Sequence, residues 1–136
     1  MTISASIVNE GNQHSVVVRT NESDKVLDIP AKSVGPGSAI NGGEFLCLAL
    51  ATCFCNDLYR EALKRKLKLN KVSVEAWAEF GAEGEPGHGF SYRADIEADA
   101  NPEEISALIR ETDQVAEIQK TLRNGAAVRL VVQAGR

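Results

Sequence analysis

The chain has 136 residues, of which 43% are apolar and 25% charged, the values of a globular protein rather than a disordered or fibrous one. That length predicts one domain, residues 1–136, burying roughly two-thirds of the surface its unfolded form would expose. A net charge of -4 and a pI near 5.2 would repel a polyanion, so nucleic acid is not an expected partner.

The first residues, Met1 to Val8, carry neither a basic leader nor a small-residue cleavage site after an apolar stretch, and a cytoplasmic protein is expected. Three cysteines without framework spacing fit a reducing compartment. The longest apolar run, Phe45 to Cys55, falls short of the ~20 residues a membrane span needs, so no membrane association is expected.

In chain order, Thr2–Val8, His14–Thr20 and Lys25–Ile29 read as strands separated by turn-forming residues. A loop from Pro30 to Gly43 follows, long enough to suggest a functional role. Glu44 to Leu67 reads as a long helix whose first half is apolar on every side, so it must be surrounded by protein. A sheet on one side and a partner subunit on the other would surround it. Its far end carries Arg60, Lys64, Arg65, Lys66, Lys68 and Lys71, read as cations on a solvated face complementing the helix dipole.

Val72, Val74, Ala76, Ala78 and Phe80 alternate with polar residues, as do Phe90, Tyr92, Ala94, Ile96 and Ala98. Two strands with one buried face each, joined across Gly81–Gly89, are expected. Asn101-Pro102-Glu103-Glu104 is a helix start. Helical spacing runs from Ile105 to Leu122, with a restart at Asp113 open to it, and Asn124-Gly125 ends it. A last strand, Ala126–Ala134, completes an α+β order, βββ-α-ββ-α(α)-β.

Few residues here can do covalent or redox chemistry. On a helix Cys53 and Cys55 lie about 200° apart, and Cys47 lies about 9 Å of rise below Cys53, so no pair can bridge within the helix. Adding His14 and His88 yields no zinc spacing, and neither metal nor cofactor is expected. Taken alone, Cys53 is more readily an inert core thiol than a reactive one, since free cysteine is among the most buried residue types.

The segment Glu44-Phe-Leu-Cys-Leu-Ala-Leu-Ala-Thr-Cys53 changes that balance. It resembles the OsmC/Ohr family (osmotically inducible and organic hydroperoxide resistance proteins), in which a glutamate and a leucine- and alanine-rich stretch lead to a reactive cysteine. Ile118-Gln-Lys-Thr121-Leu122 resembles the end of that family's second motif, Cys-Pro-Val-x-x-Thr-Leu. The resemblance implies an OsmC-like fold, an intertwined homodimer with central helices, and a peroxidase that reduces organic or inorganic hydroperoxides. It implies Cys53 as the peroxidatic thiol, Glu44 as the family's glutamate and Arg19 as the candidate arginine.

Two departures qualify this. Ala116 stands where the family's second, resolving cysteine would be, and Glu117 replaces the proline. The spacing of Arg19 from Val26-Leu-Asp28 differs from that of the Ohr branch, and its alternative reading is an exposed strand residue. A Cys53 peroxidase would then depend on an external thiol or a partner-chain cysteine. The competing reading is a non-catalytic dimer of the same fold that binds an apolar small molecule between its helices.

Overall fold

The computed structural model describes residues 1–132. Its elements are β1 (Ile3–Glu10), β2 (Gln13–Thr20), β3 (Ser23–Leu27), α1 (Gly42–Lys64), β4 (Leu69–Phe80), β5 (Gly87–Ala98), α2 (Pro102–Val115) and α3 (Glu117–Arg123). The chain falls into two compact units, residues 1–45 and residues 46 onward.

In the first unit β1, β2 and β3 form an antiparallel meander in that order. The register sets Val17 opposite Val26 and Arg19 opposite Asp24. The loop after β3 is held by a bridge between Ala31 and Ser38, with the Lys32 N–H donating to the Gly37 carbonyl at 2.9 Å. Gly37 has φ +115°, a conformation that side chains rarely tolerate.

The start of α1 is fixed by a reciprocal cap. Asn41 Oδ1 accepts from the Glu44 N–H at 2.8 Å, and Glu44 Oε1 accepts from the Asn41 N–H at 3.0 Å. Two of the four donors that a helix start leaves unpaired are thereby satisfied. At the other end Lys66 takes φ +57°, and the Leu67 N–H returns to the Ala62 carbonyl, which stops the helix.

In the second unit β4 and β5 pair antiparallel, with Val72 opposite Ile96 and Val74 opposite Ala94. The alternation expected from sequence holds from Val72 to Ala78, whereas Phe80 is exposed and stacks edge-on with Phe90, ring centres 6.1 Å apart. The inward face packs on a core of Phe54, Leu58, Ala62, Leu108 and Ala116. Phe54 and Tyr92 meet edge-to-face at 4.7 Å, joining α1 to the sheet. Burying each large apolar side chain in this core contributes about 1.5–3 kcal/mol.

The α2 start is as expected, with Asn101 Oδ1 accepting from the Glu104 N–H at 2.8 Å and Pro102 in the first turn. The second helical piece starts at Glu117 rather than Asp113, because Ala116 is extended (φ -69°, ψ 116°) and breaks the run. Ala116 is fully buried, so the break keeps a small side chain in the core while redirecting the chain. The expected last strand differs: residues 126–132 form no strand among the described residues, and the remainder of that segment lies outside them. A strand needs an edge to pair with, and Val128, Leu130 and Val132 are nearly fully exposed, Val128 at 98%.

Candidate active site

Cys53 lies near the middle of α1, half-buried, on the helix flank beside the core residues Phe54 and Leu58. One turn on, at i+4, Asp57 presents Oδ2 to the Cys53 Sγ at 3.5 Å. From α3, Glu117 presents Oε2 to the same sulfur at 3.8 Å. Arg60, at i+7, completes the group: its Nη1 lies 3.0 Å from Asp57 Oδ1 and 3.2 Å from Glu117 Oε1. One guanidinium nitrogen therefore clamps one oxygen of each carboxylate, and the other oxygen of each faces the thiol.

Packing explains why α3 delivers Glu117 there. Gln119 is buried and donates from Nε2 to the Leu50 carbonyl at 3.0 Å, tying the first turns of α3 to α1 one turn before Cys53. Ala116 anchors the preceding position in the core, and Glu117, next along, emerges at its edge. Cys53, Asp57 and Arg60 lie on one helix face because i, i+4 and i+7 do.

The electrostatics oppose a preformed thiolate. Burial pushes the Cys53 thiol up from its ordinary value; the Ile118 backbone N–H partly offsets this, and the negative charges of Asp57 and Glu117 push it further up. Asp57, only 5% exposed, is itself raised, first by burial and then by the charge of Glu117, with Arg60 opposing. Glu117 moves the other way, lowered first by its own backbone N–H and, against the cost of partial burial, by its contacts with Asp57 and Arg60. Two adjacent carboxylates thus differ in basicity, and the buried one is the better proton acceptor.

The three residues named from sequence lie in different settings. Cys53 is in the cluster just described. Glu44 closes the α1 cap, nine residues earlier. Arg19 lies on β2, where its Nη2 donates to Asp24 Oδ2 at 2.9 Å and its Nε also bonds that carboxylate. Asp57 and Arg60 were missed as site residues. Arg60, grouped from sequence with a solvated basic face, is the bridging cation of the cluster; the 53–57–60 spacing was the signal that could have found it. Glu117 was noticed only as a lost proline.

Cys53, Asp57 and Glu117 carry ligand-type atoms within 4.8 Å of one another. Arg60 holds the other oxygen of each carboxylate, Asp57 Oδ1 and Glu117 Oε1. Cys47 and Cys55 are free and half-buried. Among the described residues no helix is long and apolar enough to cross a membrane.

Comparison with known proteins identifies the fold. Solved structures similar to this chain include an OsmC-like protein from Mycoplasma pneumoniae, with TM-score 0.64 at 16% identity, covering 92% of this chain and 88% of that one. The organic hydroperoxide resistance protein OhrB of Bacillus subtilis aligns with TM-score 0.57 at 15% identity, over 92% and 93% of the two chains. An organic hydroperoxide resistance protein from Legionella pneumophila aligns with TM-score 0.54 at 22% identity, over 90% of each. No curated protein matches the chain by sequence. The sequence profile of the OsmC-like protein family matches residues 35–131, and the chain belongs to that family.

Proposed function

We propose that this protein reduces hydroperoxides through Cys53 and is returned to the thiol by an external thiol reductant. The observation that carries this reading is a half-buried thiol on α1, touched by two carboxylates of unequal basicity, in a member of the OsmC-like family. Two of the structurally similar proteins are organic hydroperoxide resistance proteins, and their role is extended to this chain as part of the proposal.

The cycle has three balanced steps. The sulfur of Cys53 attacks the peroxide, forming an S–O bond and breaking the O–O bond, which yields a sulfenic acid and an alcohol. An external thiol then displaces water from the sulfenic acid, forming a mixed disulfide. A second external thiol releases Cys53 and leaves as the symmetric disulfide. No thiol of the same helix can take the second role, since Cys47 and Cys55 lie on a regular helix at distances and angles that forbid bridging.

Glu44 and Arg19 enter the reading through family resemblance, as groups that hold the substrate or the thiolate. The working unit in this proposal is a homodimer. Its support is apolar surface that a single chain leaves open: Leu48 on the first half of α1, Ile3 and Ile7 on β1, and Val128, Leu130 and Val132 after α3. Light scattering at micromolar concentration is expected to give twice the chain mass, and a monomer would remove the dimer from the reading.

The direct test is turnover of cumene hydroperoxide with dithiothreitol as reductant. Cys53→Ser is expected to abolish it, and a variant as fast as the parent would overturn the reading. The raised Cys53 pKa favours a second reading, a non-catalytic binding protein. Its site would be the cavity of about 520 Å³ lined by Phe54, Tyr92, Ile109, Arg110, Asp113 and Arg123. That reading predicts no sulfenic acid at Cys53 on peroxide treatment.

A further inference from the structure

Hydroperoxide cleavage needs two things at once: electron density at sulfur, and a proton for the departing alkoxide. A buried thiol beside two carboxylates is poorly placed to supply the first as a standing thiolate. It is well placed to supply both if a neighbouring carboxylate carries the thiol proton across. Asp57 and Glu117 are the ionisable groups in contact with the Cys53 sulfur, and Arg60 is the cation in contact with both carboxylates. The Ile118 N–H faces the sulfur as well.

The two carboxylates are not equivalent. Asp57 is on the same helix as Cys53, one turn away, almost fully buried, and held at Oδ1 by Arg60 with Oδ2 left on the thiol. Its separation from Cys53 is set by helix geometry. Glu117 is solvent-exposed, farther from the sulfur, and held by Arg60 through its other oxygen.

We propose that Asp57 is the proton carrier of Cys53, accepting the thiol proton as sulfur attacks the peroxide and delivering it to the leaving alkoxide. The inference rests on hydroperoxide reduction at Cys53 as proposed above. In the step, the Cys53 S–H and the peroxide O–O bonds break while the S–O bond forms. Sulfur is oxidised by two electrons, the peroxide is reduced, and the proton passes from Sγ to Asp57 Oδ2 and then to the alcohol oxygen. Arg60 keeps the Asp57 carboxylate oriented through Oδ1 in every stage.

Asp57 also raises the thiol pKa by its charge, and this makes the test discriminating. Asp57→Asn removes a negative charge beside the thiol, so more thiolate exists at pH 7. If Asp57 only hindered the thiol, the variant would react faster with every electrophile. If it carries the proton, the variant reacts faster with iodoacetamide, whose iodide leaves without a proton, and slower with cumene hydroperoxide. The expected split at pH 7 is a rise in alkylation together with a fall in sulfenic acid formation of about 100-fold, the low end for loss of a positioned acid–base group.

Single-turnover sulfenic acid formation is followed by dimedone trapping, with circular dichroism confirming that the variant is folded. A measurement on the parent protein alone serves should the variant not fold. As pH rises through the Cys53 titration, alkylation is expected to climb while peroxide reduction levels off or falls, because the carried proton is lost. Parallel pH profiles, or an Asp57→Asn variant faster toward both reagents, would overturn the assignment of Asp57 and leave Cys53 as the peroxidatic thiol. A parent that forms no sulfenic acid at all would remove the underlying peroxidase reading, and the proton carrier with it.

Discussion

Two arginine–carboxylate groupings in this molecule use the same chemistry and give different results. On the first sheet, Arg19 faces Asp24 across neighbouring strands, with both side chains about half exposed. On α1, Arg60 touches a nearly buried Asp57 and a Glu117 brought in from α3. In the first, water solvates every charge, and the pair raises the pKa of Arg19 and lowers that of Asp24, each stabilising its partner's charged form. In the second, burial raises Asp57 while Arg60 opposes it, and a thiol lies against both acids. The lesson is that an ion pair becomes chemically consequential when burial prevents water from satisfying one of its members.

Replacing each arginine by methionine puts this contrast to measurement. Arg60→Met has the larger expected effect: it leaves Asp57 buried without its cation and leaves two unneutralised anions on Cys53. Arg60 is 40% exposed, so the loss should fall below the ~3–5 kcal/mol of a fully buried pair losing one partner, at about 1–2 kcal/mol by urea unfolding. The Cys53 thiol should rise further, slowing alkylation at pH 7. A variant as stable and as reactive as the parent would erase the difference between the two groupings.

Glu117→Gln sharpens the same comparison at smaller scale. Removing one anion beside Cys53 lowers the thiol pKa, so the thiolate appears at lower pH and alkylation at pH 7 accelerates by about 2- to 5-fold, as expected for loss of a like charge at an exposed site. The direction follows from linkage: a thiol raised above its usual value is held neutral, and relief of the cause returns it downward. Slower alkylation in this variant would mean that Glu117 does not act on the thiol by its charge.

Arg19→Met is expected to leave the melting temperature unchanged, since water can replace the exposed pair, and to slow cumene hydroperoxide reduction, the role proposed for Arg19 being to hold the substrate or the thiolate. An unchanged rate with stability intact would remove Arg19 from the reaction and leave its pair with Asp24 as surface charge alone.

Much of the architecture was legible in the chain. Alternation gave the β4 and β5 faces, Asn101-Pro102 gave the start of α2, and the apolar stretch gave α1 around Cys53. The family-type spacing from Glu44 singled out Cys53 but said nothing of what surrounds the thiol. Asp57 and Arg60 were readable only once the helix was divided into faces, and their charges then looked like ordinary helix surface. Glu117 was less accessible still, because its placement depends on the extended kink at Ala116 and on the buried Gln119 bond to α1. No periodic pattern encodes either contact. The strand expected after Asn124-Gly125 failed over residues 126–132 because alternation specifies a face but not a neighbour to pair with.

The reciprocal cap between Asn41 and Glu44 also works as an angular reference. A helix advances about 100° per residue, so fixing its first turn fixes the bearing of every side chain after it. Cys53 lies two and a half turns downstream of that reference, and Asp57 and Arg60 follow on the same bearing. A single residue inserted between cap and thiol would offset the two by more than a quarter circle about the helix axis. The length of the stretch from Asn41 to Cys53, whatever its side chains, therefore sets the angle about the helix axis between cap and thiol.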